Sequence, residues 1–91
     1  KILQMNILLK ANDIVNERSE EKAREYGPFD ESIAKAARFA TDLCNKEITT
    51  EDFYKCLIAL KMSRMAYNLK EDTMLDAVAY VAALDNYNKN K

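Results

Sequence analysis

Two cations and two anions in the C-terminal third of the chain have the types and spacing to do chemistry. Lys61 and Arg64 stand three residues apart, and Asp72 and Asp76 stand four apart, on either side of the polar break Asn68-Leu69-Lys70-Glu71. On helices, each of these pairs shares a face. If the break turns one helix back along the other, Arg64 lies opposite Asp76, and Lys61, one turn further, points toward Tyr80. Such a cluster could bind an anion or a metal–phosphate group, with Lys61 and Arg64 on phosphate and the aspartates on Mg²⁺ or orienting the cations. The same placement also describes an ion-pair network that fixes the register of the hairpin, with Asp72 at the positive end of the fourth helix. The second reading comes first, because it explains four charges without a ligand.

A second acidic group, Asp13, Glu17, Glu20 and Glu21, lies along the first helical segment. The Glu17-x-x-Glu20 spacing lets one helix offer two carboxylates to a divalent cation, so Glu17, Glu20 and Asp76 are the candidate metal ligands. Arg18, Lys22 and Arg24 are interleaved with them, and a solvated face is the first expectation. The chain has no histidine, which excludes Ser/His/Asp and Cys/His catalysis. Its one glycine excludes a glycine-rich phosphate loop. General acid–base work would fall to carboxylates, lysine or tyrosine. Cys44 and Cys56 fall on separate helices and read as reduced, buried thiols, with no zinc site near them. No cofactor is expected, and Mg²⁺ is the alternative.

The elements that must position these residues are helical. Ninety-one residues make one small domain, and the single Gly27 and Pro28 are adjacent. A β-sandwich or barrel would need many more turn residues. Apolar periodicity predicts four helices, over about 2–25, 31–43, 50–68 and 72–87, with the third and fourth as a central antiparallel hairpin. Leu8, Ala11 and Val15 mark the inner face of the first helix, widened by Met5, Ile7 and Ile14. Gly27 and Pro28 end it, and Asp30 reads as the N-cap of the second. Ile33, Ala36 or Ala37, Ala40 and Leu43 form the second stripe. Thr49 with Asp52 reads as a capping box, and Phe53, Cys56 or Leu57, Leu60 and Tyr67 as the third stripe. Asn86, Asn88 and Asn90 read as a fraying tail.

Formal net charge is −1, with acids and bases interleaved and no basic block, so nucleic-acid binding finds no support. No apolar run approaches the roughly 20 residues that cross a bilayer. The fourth helix is apolar on both sides, in a chain with room for only a small core, and this predicts a homodimer sharing a core.

Arg18 with Tyr26-Gly27-Pro28-Phe29, then Glu47-Ile48-Thr49-Thr50-Glu51-Asp52, Leu60-Lys61-x-x-Arg64, and Glu71-Asp72-x-x-x-Asp76-x-x-x-Tyr80 resemble a group of small phage-encoded proteins of unknown function, also seen in prophage regions. The likeness covers about residues 13–84. It implies a phage protein acting in the cytoplasm of the bacterial host, and a phage or host protein as a possible partner. It implies no assigned activity. A more distant resemblance is to all-α nucleoside triphosphate pyrophosphohydrolases of the MazG type, which bind Mg²⁺ through Glu-x-x-Glu on one helix and Glu-x-x-Asp on the next. Asp76 stands in the Asp position of the second motif. Thr73 replaces its Glu, and Lys61 and Arg64 occupy roughly the place of the first motif. The leading expectation is a non-enzymatic accessory protein acting by protein–protein contact. The alternative is a Mg²⁺-dependent nucleotide-binding or nucleotide-hydrolysing protein.

Overall fold

The computed structural model describes residues 6–17 and 29–90. Among the described residues the chain is all-α: α1 (Ile7–Asn16), α2 (Phe29–Cys44), α3 (Thr50–Tyr67) and α4 (Glu71–Asn90). The expected class and the α3/α4 hairpin are found. The α3–α4 interface is the most extensive, α1 also packs on α4, and α2 packs on α3. Helix α4 is therefore the centre of the fold.

Local chemistry fixes the helix ends. Asn6 is extended, and its side-chain oxygen accepts from the N–H groups of Leu8 (2.8 Å) and Leu9 (3.2 Å). These are orphan donors of a first turn, so α1 starts at Ile7 and not at residue 2. It ends at Asn16, where Glu17 leaves the helical region with φ −122° and ψ 36°. The expected continuation over 18–25, and the Gly27-Pro28 break, lie outside the described residues. Helix α2 begins at Phe29, so Asp30 is inside its first turn and not its cap. The far end of α2 closes on Asn45, whose φ of 56° is left-handed, and the Lys46 N–H reaches back to the Thr41 carbonyl at 3.3 Å. Asparagine is the residue other than glycine that best tolerates this conformation.

The loop then folds back along α2. The Thr41 hydroxyl accepts from the Ile48 N–H at 2.8 Å, and shares its one proton between the carbonyls of Ala37 and Ile48, both at 3.0 Å. Helix α3 consequently starts beside the middle of α2. Its capping box is formed as the sequence indicates: Asp52 N–H donates to the Thr49 hydroxyl at 3.0 Å, and Thr49 N–H to the Asp52 carboxylate at 3.2 Å. Hydrogen bonding to the Asp52 carboxyl from the Thr49 N–H, and then from its side chain, holds that carboxyl below its ordinary value.

The core is thin. Among the described residues the buried ones are Ala11, Ala37, Ala77, Ala79, Ala83 and Tyr54, and Tyr54, at 0% exposure, is the only large side chain among these that is fully buried. Alanines let α1, α3 and α4 approach closely, but they bury little apolar area. Tyr54 donates to Asp30 Oδ1 at 2.9 Å and its ring meets Tyr87 at 6.1 Å, so it ties α2, α3 and α4 together. The inner stripe of α3 is Tyr54, Leu57, Ile58, Lys61 and Met65, while Cys56, Leu60 and Tyr67 are exposed. That is a rotation of the expected stripe. It arises because α3 is apolar nearly all round, so periodicity alone cannot choose the buried side. Leu8 and Leu43 are exposed as well. Cys44 and Cys56 are free, as expected, but exposed instead of buried. Helix α4 does not fray at residue 86. An Asn86–Asn16 side-chain bond (3.0 Å) and a Lys89–Asp85 pair (2.9 Å) carry it to Asn90.

Candidate functional site

The hairpin brings Lys61, not Arg64, to Asp76. Lys61 Nζ lies 3.0 Å from Asp76 Oδ2, with the Lys61 side chain only 13% exposed. The one-turn difference follows from the connection. Helix α4 starts at Glu71, the Asn68 N–H closes α3 on the Arg64 carbonyl, and Lys70 N–H bonds the Asn68 carbonyl at 3.0 Å. The turn is therefore centred at Asn68-Leu69, before the position assumed from sequence, and each residue of α4 meets an earlier residue of α3. The lysine stem lies in the inner stripe of α3, and its ammonium emerges at the half-buried aspartate.

The rest of the expected cluster does not assemble. Arg64 and Asp72 are exposed and make no ion pair among the described residues. Each suits its helix end, Arg64 in the last turn of α3 and Asp72 in the first turn of α4. Tyr80 is half-buried, and its ring packs on Phe29 at 6.2 Å. A second pair was not foreseen: Lys10 Nζ on α1 reaches Glu71 Oε1 at 2.6 Å. The lysine hydrogen bond, and then its charge, hold the Glu71 carboxyl below its ordinary value. Glu17 is exposed at the end of α1, and Glu20 lies outside the described residues. No group of three or more acidic or cysteine side chains among the described residues could hold a metal ion. Asp76 is therefore presented to a lysine, not alongside other carboxylates.

Described residues line two concavities. A polar cleft of about 490 Å³ lies between α2 and the start of α3, bordered by Arg38, Thr41, Asp42, Glu47 and Thr50. Its charges are mixed, and Thr41 and Thr49 already spend their hydroxyls on backbone and cap. The other is an open apolar groove of about 240 Å³ along the α3/α4 seam, lined by Ile58, Met62, Met65, Ala77, Val78 and Val81. Helix α4 meets α3 and α1, and Tyr80 meets the start of α2, so three sides of it are covered. Val78 and Val81 lie on the uncovered side. Val81 is 53% exposed and Met62 60%. The sequence does carry a signal for this face: Ile58, Met62 and Met65 recur at steps of four and three on α3, and Val78 and Val81 at three on α4. Ile58 and Met65 also belong to the inner stripe of α3, but a single inner stripe per helix leaves the exposed Met62 and Val81 unexplained.

A family model for a domain of unknown function (DUF6378) matches residues 6–88. The chain belongs to the DUF6378 family. This agrees with the expectation of a small family without assigned function, and all four described helices of the DUF6378 domain fall essentially within the match. No curated protein and no solved structure matches the chain. Among the described residues, no helix is long and apolar enough to cross a membrane.

Proposed function

We propose that this DUF6378 domain is a non-enzymatic protein-interaction module whose working surface is the apolar α3/α4 groove. The observation that carries this reading is the mismatch between a core in which one large side chain is fully buried among the described residues and an open apolar strip along the central hairpin. Large apolar residues left on a continuous face mark a contact surface. The charged residues support the same reading, because Lys61 and Asp76 compensate each other and Arg64 and Asp72 serve helix ends. A phage origin, the host cytoplasm and a phage or host protein as partner are supported by the sequence resemblance.

A thermal-shift screen with nucleoside triphosphates, with and without Mg²⁺, tests this against the nucleotide-hydrolysing alternative. A ligand at a hundred times its dissociation constant stabilises by about 2.7 kcal/mol, on the order of 10 °C or more for a domain of this size. The interaction reading predicts no shift at millimolar nucleotide. A Mg²⁺-dependent rise for any nucleotide overturns it.

A further inference from the structure

We infer that α1 is a displaceable strap on α4: it opens as one unit while α2, α3 and α4 stay folded, and so hides or uncovers one face of the central helix. This goes beyond the interaction reading above and does not depend on the groove.

The strap has two ties. At one end Lys10 Nζ meets Glu71 Oε1 at 2.6 Å, and at the other Asn86 Nδ2 donates to Asn16 Oδ1 at 3.0 Å. Asn16 Nδ2 donates in turn to Asn12 Oδ1 at 2.7 Å, which fixes the amide that holds Asn86. Glu71, Leu75, Ala79, Ala82 and Asn86 follow one another at helical steps of four and three, so they share a face of α4. Helix α1 is tied at both ends of that face and lies along it. Ala79 in its middle is buried, and Leu75 and Ala82 are half-buried.

Between the ties α1 is held by little. Ala11 is its one buried residue, and Ile7 and Val15, four residues to either side, are half-buried. Leu8 and Leu9 face water, at 66% and 56% exposure. Both ties are exposed, and exposed ion pairs and amide bonds are weak in water. A helix of ten residues does not hold by itself, so α1 unwinds as a unit once it leaves α4.

The other three helices are joined without α1. Tyr54 connects α2, α3 and α4 through Asp30 and Tyr87. Thr41 locks the α2–α3 connection, and Lys61 with Asp76 bridges α3 and α4. Among the described residues, the one extensive interface of α1 is with α4. Opening α1 therefore breaks one thin interface and leaves the rest in place, which makes it a local event and not a step of global unfolding.

Native-state hydrogen exchange of the full chain, read by mass spectrometry across low urea, tests the strap. The α1 amides from Lys10 to Asn16 should be protected roughly a hundredfold less than those of α3, and should hardly respond to urea, while α3 protection falls steeply with it. Glu71→Gln and Asn86→Ala should each lower α1 protection about two- to fivefold. Thr41→Val weakens the α2–α3 joint, so it should lower protection in α3 and leave α1 as in wild type. Equal protection with equal urea dependence in α1 and α3 overturns the strap, and so does a Thr41→Val effect of the same factor in both. The wild-type urea series decides by itself if Thr41→Val does not fold. Tie variants without effect on α1 overturn the two contacts as its fastenings. Absence of any protection in α1 also overturns the inference, since a strap must be docked at rest.

Discussion

Removing one oxygen from the centre of the fold should leave a signature in the alkaline pH dependence of stability. Tyr54 is completely buried and donates to Asp30 at 2.9 Å. Burial, and after it this hydrogen bond to a carboxylate, push the Tyr54 hydroxyl well above its ordinary value of 10.0. A group whose folded value is raised contributes stability that is fully present below its unfolded value and is lost as pH rises toward the folded one. Above pH 10 the unfolded chain therefore gains from releasing a proton that the folded chain keeps. At pH 11 the loss is at most about 1.4 kcal/mol relative to neutral pH, and smaller to the extent that water reaches the hydroxyl. Tyr54→Phe removes the proton from both states. Near neutral pH it should cost about 1 kcal/mol, because the exposed Asp30 can be rehydrated, and it should lower the melting temperature by about 4–8 °C. Between pH 8 and 11 the gap to wild type should then narrow or close. Urea denaturation of both proteins at half-unit pH intervals measures this. Parallel profiles for the two proteins up to pH 11 would refute the idea that Tyr54 is held neutral in the core.

Three further outcomes follow from single contacts. Asp76→Asn leaves the ammonium of the mostly buried Lys61 side chain without its counter-charge and should destabilise by about 1–2 kcal/mol, whereas Lys61→Met, which keeps the stem, should cost less. Chemical denaturation of the two single variants and the double variant gives the coupling, and full additivity argues against the pair. Thr41→Val keeps the shape but strands the Ile48 N–H, for a cost of about 1–2 kcal/mol by thermal melting, while Thr41→Ser should stay close to wild type. On the acid side, Asp52 and Glu71 have lowered values, so the stability they supply is present above their ordinary 3.8 and 4.5 and is lost as pH falls below them. Glu71→Gln should flatten the melting profile between pH 5 and 3, and an unchanged acid limb would show that the Lys10 contact does not persist in solution.

What could be read from sequence was what is decided locally. Thr49 and Asp52 form their capping box because both partners lie within four residues, and no distant contact can compete for them. The α3/α4 hairpin was legible because Asn68-Leu69-Lys70 interrupts two apolar stretches. Its register was not, since shifting the turn by a residue or two moves the partner of Asp76 from Arg64 to Lys61, and turn geometry sets that shift. The buried side of α3 was hidden for another reason. Apolar residues surround that helix, and Tyr54 and Lys61 reach the inner stripe with polar tips that mimic an outer one. Asn6 was missed as a cap because Ile2 and Leu3 continue the apolar pattern past it. The candidate site was read as charge because charge is conspicuous in sequence, while the groove uses ordinary apolar residues that any core also needs.

The melting temperature as a function of chain concentration tests most directly whether the apolar α3/α4 groove is a contact surface, here for the homodimer that the sequence predicts. For a dimer that unfolds to two chains of this length, each tenfold rise in concentration should raise the melting temperature by about 3–4 °C. Wild type should show that slope from 5 to 500 µM, and Val81→Lys should show none. A wild-type melting temperature that does not change across that range would contradict the claim.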